Sequence, residues 1–274
     1  MRTRPIPSSG EEIPVVGLGT WQTFDVDLDG SEGRDVREVL RLFVERDGRV
    51  VDSSPMYGRS EAVTGTLARE LGVADRLWYA TKVWTEGAGA GVAQMERSFE
   101  LLGVDTMDLM QVHNLVDWRT HLATLRRWKE EGRVRYVGVT HYRTDAYDRL
   151  ASVLAGEPLD FVQLNYNMAV REAEERLLPL AADRGVAVLV NRPYRGGSLF
   201  RRVRGTEPPA WARERGMDSW GRFFLKYLLG HPAVTCVIPA TSDPDHLVDN
   251  VGAGFGDLPD EPLRRRMVRH LEGR

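Results

Sequence analysis

The 274 residues admit one large domain or two smaller ones. With 42% hydrophobic and 28% charged residues and a net charge of −3, the chain reads as ordinary globular protein, and the charge balance speaks against nucleic acid as main partner. No apolar run reaches the ~18 residues of a transmembrane helix, so no membrane partner is expected.

In chain order, the N-terminal MRTRPIPSSGEEIP lacks the apolar core of a signal peptide and reads as an extension of the mature chain. Eight short apolar runs follow, each separated from the next by a helix-length segment. VVGLGT (15–20) precedes GRDVREVLRLFVERDG (33–48), which places Val36, Val39, Leu40 and Phe43 on one face and Gly48 at a C-terminal cap. RVVDSS (49–54) precedes RSEAVTGTLARELG (59–72), and LWYATKV (77–83) precedes GVAQMERSFELLG (91–103). MDLMQVH (107–113), VRYVGVT (134–140) and LDFVQLN (159–165) lead into helical segments at 117–132, 144–156 and 171–185. VAVLVN (186–191) is followed by a long irregular stretch (192–216) and a helix at 217–230; VTCVIP (234–239) is followed by a helix at 243–254. The tail from Leu258 reads as one more helix on the outside.

Near-continuous Val/Leu/Ile runs are expected of parallel strands buried on both faces. Their alternation with helices predicts an α/β fold with right-handed crossovers. No G-x-G-x-x-G lies between a strand and a helix, which removes the phosphate loop of a doubly wound sheet. The expected architecture is therefore a (β/α)8 TIM barrel, a parallel eight-stranded barrel with an N-terminal extension and a C-terminal helix, over residues 1–274 as one domain. The lone Cys236, inside an apolar run, rules out an intrachain disulfide, is expected to be a small buried hydrophobe, and fits a cytoplasmic location.

Chemistry in such a barrel sits at the C-terminal ends of the strands. Asp52, Lys82 and His113 end their runs there, and Tyr57 lies in the loop after Asp52. Singly, these are a loop anchor, a chance cation, a core histidine and a packing ring. The chain, however, has only three lysines (Lys82, Lys129, Lys226) and otherwise uses arginine, so a lysine at the mouth points to a compact, tunable ammonium. A phenol of reference pKa ~10 is a poor acid at neutral pH; a nearby ammonium is expected to lower that value, with Asp52 keeping Lys82 charged. Such a site hands a proton to an oxygen that becomes negative. With no H-E-x-x-H, cysteine cluster or G-x-S-x-G, no metal is expected and the hard step falls to a cofactor.

GLGTW (17–21), the segment from Asp52 through SPMYG to Gly58, TKVW (81–84), VHN (112–114), GVTHY (138–142), Gln163 within FVQLNYN and IPATSDPDHLVDN (238–250) together resemble the motifs of the aldo-keto reductases, over nearly the whole chain. The resemblance implies reversible NAD(P)H-dependent reduction of an aldehyde or ketone, with NADP(H) favoured over NAD(H). It implies Tyr57 as general acid, Lys82 and Asp52 tuning it, and His113 orienting the carbonyl. Thr140, His141 and Gln163 fall where the family grips the carboxamide; Asn191, Arg192, Pro193, Tyr194, Arg195 and Gly196 fall on the strand and loop under the nicotinamide and pyrophosphate. Thr20, Trp21, Asp52, Ile238, Thr241, His246 and Asn250 complete the implied cofactor set, and Trp21, Phe24, Trp84 and Trp118 the substrate pocket.

Three departures stand out. Thr140–His141 replaces a frequent Ser-Asn, and Asn191 replaces an aromatic residue that stacks on the nicotinamide. Ala240 and His246 replace the Lys and Arg that hold the 2′-phosphate. Thr241, Ser242 and the helix N-terminus at Pro244 are one substitute, with Asp243 and Asp245 opposing it. Arg192, Arg195, Arg201, Arg202 and Arg204 are another, against the reading of a solvated basic loop. The short C-terminal tail predicts an open pocket and broad specificity. The partner is a small carbonyl compound, and the chain is expected to be a monomer or a weak homo-oligomer. The alternative function is a nucleotide-binding sensor of the same fold with little turnover.

Overall fold

The computed structural model describes residues 1–273. All eight expected strands form: β3 (Leu18–Gly19), β4 (Val50–Asp52), β5 (Trp78–Val83), β6 (Met107–His113), β7 (Val134–His141), β8 (Phe161–Asn165), β9 (Ala187–Asn191) and β10 (Cys236–Val237). They run parallel in sequence order through one sheet. Parallel bridges Val16–Val237 and Gly19–Ala240 join the first strand to the last, giving the (β/α)8 barrel. The outer strands are shorter than their apolar runs; β10 stops just before Ile238–Pro239, where proline has no N–H to continue a ladder.

Around the sheet lie α1 (Ser31–Glu45), α2 (Ser60–Glu70), α3 (Ala88–Leu102), α4 (Trp118–Glu130), α5 (Tyr147–Gly156), α6 (Leu177–Asp183), α7 (Ser198–Arg202), α8 (Ala210–Arg213), α9 (Trp220–Leu229), α10 (Pro244–Gly252) and the tail helix α11 (Glu261–Glu272). The short α7 and α8 organise the stretch that reads as irregular in the sequence. The left-handed residue ending α1 is Asp47, at φ 63°, not Gly48.

The N-terminal extension is a hairpin, β1 (Thr3–Pro5) with β2 (Glu12–Pro14). Its Ile6 and Ile13 are fully buried in a cluster with Val50, Trp78, Leu109, Tyr136, Phe161, Leu189 and Cys236, inside the barrel. The hairpin therefore plugs the end opposite the site.

Strand register explains why one barrel carries both core and chemistry. Side chains alternate between faces, so residues of one parity share the interior. At the N-terminal ends this parity is apolar: Val50, Trp78 and Ala80, Leu109, Tyr136, Phe161, Leu189. Two to four residues on, it becomes Asp52, Lys82, Gln111, His113, Thr140, Gln163 and Asn191. Gly138 holds the place opposite Gln111, where a Cβ would stand 2.8 Å from the Phe161 carbonyl and 3.3 Å from Gln111 Cγ. The other parity (Val51, Met110, Val137, Val139, Val162, Val188, Val190) meets the helices.

Candidate active site

Asp52 is the hub of the barrel's polar layer. Its Oδ2 accepts from Lys82 Nζ at 2.7 Å, and its Oδ1 accepts from Gln163 Nε2 at 2.8 Å and Gln111 Nε2 at 3.3 Å. Lys82 Nζ also donates to the Ser53 carbonyl at 2.6 Å and lies 5.1 Å from the Tyr57 ring centroid. The ammonium is fully buried. Burial lowers its pKa, but Asp52 and then Tyr57 outweigh this, so the net shift is upward and Lys82 stays charged.

Tyr57 stands edge-on to His113, with ring centroids 5.8 Å apart. Its loop is fixed by Asp25, whose Oδ1 accepts from the Arg59 N–H at 3.0 Å. Gly58 turns that loop at φ 60°, and a Cβ there would lie 2.3 Å from the Asp25 carboxylate. The expected lowering of the phenol pKa is not what the surroundings produce. Burial raises it and exceeds the pull of Lys82, so the net shift is upward and the phenol keeps its proton at neutral pH. His113 is buried, and burial first, then Lys82 and His141, hold its pKa down to about 2. The imidazole is therefore neutral.

These groups open into a cavity of about 610 Å³, within the range of small-molecule sites. Asp52, Tyr57 and His113 line it, as do Thr20, Trp21, Thr140, Gln163, Asn191, Arg192, Pro193, Tyr194, Gly196 and Ile238; Lys82 lies behind Asp52 and Tyr57. Asn191 Oδ1 is buried and has no hydrogen-bond partner among the described residues, although its amide nitrogen donates to Gln163 Oε1 at 3.4 Å. Arg192, Arg195, Gly196 and Gly197 all have positive φ, which bends the loop after β9 along the cavity.

Other expected residues fall elsewhere. Phe24 is fully buried in the core between barrel and helices, and Trp118 lies beneath the Arg119 guanidinium at the start of α4; neither lines the cavity. Trp84 is exposed on the rim, 6.5 Å from His113 between ring centroids. His141 turns its Nδ1 to the Arg143 N–H at 3.2 Å and stacks on Tyr142. Thr241, His246 and Asn250 also lie off the cavity wall: Thr241 Oγ1 accepts from the Asp243 N–H, Asn250 accepts from the Tyr194 hydroxyl, and His246 is exposed. The N-terminus of α10 is already capped, since Asp243 Oδ1 accepts from the N–H groups of Asp245 and His246 at 2.8 and 3.0 Å. Arg195 is exposed in the loop beside the cavity, and Arg201, Arg202 and Arg204 are exposed beyond it.

Sequence reasoning missed Met56, Asn114 and Tyr142, which line the cavity, and Gln111 and Ser54, which hold Asp52 and His113. Gln111 was visible as the one amide at interior parity in MDLMQVH. Ser54 and Tyr142 had no such signal, because loop residues follow no periodicity.

The aldo/keto reductase family model matches residues 15–265, and the chain belongs to that family. Aldo-keto reductase YhdN of Bacillus subtilis (strain 168) is 29% identical over 73% of this chain; the chain spans 63% of that relative's length. An aldo-keto reductase of Mycobacterium sp. (strain KMS) is 30% identical over 70% of this chain and 68% of its own. Among solved structures, an aldo/keto reductase from Klebsiella pneumoniae in complex with NADP and acetate superposes with TM-score 0.81, at 24% identity over 96% of this chain and 93% of its own.

Proposed function

We propose that the protein is an NAD(P)H-dependent reductase of aldehydes or ketones, acting reversibly, with Tyr57 as the proton donor. The observation that carries this reading is the Tyr57 phenol and the His113 imidazole facing one cavity, backed by a buried Lys82–Asp52 pair. The residues present fit a nicotinamide group. Asn191 Oδ1 is an unpartnered acceptor for a carboxamide N–H, and the Gly196–Gly197 turn leaves room for backbone to approach a phosphate. A bound reduced nicotinamide supplies the hydride.

The chain's own residues do the rest. Tyr57 gives its proton to the carbonyl oxygen as negative charge develops there. Lys82 stabilises the phenolate left behind, and Asp52, held by two side-chain amides, keeps Lys82 in place. His113 hydrogen-bonds the same oxygen and orients it. Trp21, Met56 and Trp84 on the rim contact the rest of the substrate. With the start of α10 capped by a carboxylate, a 2′-phosphate relies on the arginines of the loop after β9.

The test is oxidation of NADPH and NADH with nitrobenzaldehyde, a dicarbonyl and a simple ketone, repeated with Tyr57→Phe. Turnover that drops by about 10²–10⁴ in the variant supports Tyr57 as acid; undiminished turnover refutes it. Cofactor binding without turnover on any substrate favours a nucleotide sensor.

A further inference from the structure

Ser54 sits between Asp52 and Tyr57 and is fully buried. Its carbonyl accepts from the Tyr57 N–H at 2.9 Å and its Oγ from the Met56 N–H at 3.4 Å, so the turn fixes the side chain. The same Oγ lies 3.0 Å from His113 Nδ1. A hydroxyl has one proton and two lone pairs. The Met56 N–H can only donate, so it occupies a lone pair. A buried hydroxyl proton needs an acceptor, and Nδ1 is the acceptor the turn presents. In a neutral imidazole, an accepting Nδ1 leaves the ring proton on Nε2. The ring is neutral in this setting, because burial and the Lys82 ammonium oppose a second charge.

We propose that Ser54 is a positioning residue that fixes His113 as the Nε2–H tautomer, so that the nitrogen turned away from Ser54 donates a hydrogen bond into the cavity. The other tautomer presents a lone pair there and repels a carbonyl oxygen. The consequence for turnover rests on the carbonyl-reductase reading; the tautomer itself does not.

The experiment is long-range ¹H–¹⁵N spectroscopy of the imidazoles at about neutral pH, with His113 identified by its loss in His113→Asn. The wild-type signal is expected in the Nε2–H pattern. Ser54→Ala is expected to populate both tautomers and to lower kcat roughly five- to tenfold, the worth of one hydrogen bond, with KM for the nucleotide unchanged. Ser54→Thr, which keeps the hydroxyl, restores both readouts. An Nδ1–H wild type, or a Ser54→Ala spectrum identical to it, overturns the proposal. A changed tautomer with unchanged kcat overturns the positioning role. If wild type reduces no carbonyl at all, the reductase reading fails and the spectra alone decide the role of Ser54.

Discussion

Removing Lys82 tests the reasoning about the polar layer most directly. Its Nζ lies 2.7 Å from Asp52 Oδ2, with the two side chains 0% and 4% exposed. At an effective dielectric of ~20, that separation corresponds to a gross attraction of about 6 kcal/mol. Desolvation of each ion costs several kcal/mol, so the pair adds little net stability, but breaking it strands a buried charge. Lys82→Met leaves the Asp52 carboxylate with only Gln111 and Gln163 as donors, and is expected to cost about 3–5 kcal/mol. Asp52→Asn strands the ammonium at similar cost. In Asp52→Asn/Lys82→Met neither member of the pair is charged, so the two losses are not additive and the coupling is expected at about 3 kcal/mol. Urea denaturation of the four proteins gives the cycle, and nucleotide oxidation gives activity, which stays lost in the double variant. A coupling below about 0.5 kcal/mol, the scatter of independent sites, refutes the description of the pair.

Four further outcomes follow from the geometry. The raised Tyr57 pKa keeps the proton donor protonated through neutral pH, so the alkaline fall in carbonyl reduction is expected above pH ~10; a fall centred near neutrality contradicts it. His113 has a folded pKa of about 2 against 6.5 unfolded, so it contributes stability above pH 6.5 that is lost as pH falls toward 2; over that window it costs about 1.4 kcal/mol per pH unit, and acid unfolding of His113→Gln compared with wild type shows a slope shallower by that amount. Gly58→Ala forces a side chain into the left-handed region and onto Asp25; it is expected to cost about 1–2 kcal/mol or more and to lower kcat by displacing Tyr57, read by urea melts and initial rates. Arg195→Ala and Arg201→Ala are expected to weaken NADPH more than NADH by titration; unchanged affinity for both removes the loop as phosphate clamp.

The amino-acid sequence determined the class of fold and the four groups at the strand ends. Eight apolar runs separated by amphipathic helices satisfy only a parallel sheet covered on both faces. Asp52, Lys82 and His113 end their runs at interior parity, so their meeting follows from period-two alternation once the sheet closes. The scarcity of lysine singles out Lys82 in the sequence.

Tertiary structure decided the rest. Whether the phenol pKa rises or falls depends on how burial balances the Lys82 ammonium, and burial is a property of the folded site. The hairpin that plugs the barrel is too short and too polar to announce itself, yet its Ile6 and Ile13 share one buried cluster with side chains from seven barrel strands. Loop aromatics have no periodicity to betray their direction: Phe24 turns into the core, Trp118 lies under an arginine, and Tyr142 faces the cavity. The start of α10 looked open to an anion in the sequence, but Asp243 closes it on itself. Spacing along the chain fixes which face of an element a residue shares; which neighbour it meets across space is fixed only when the elements are brought together.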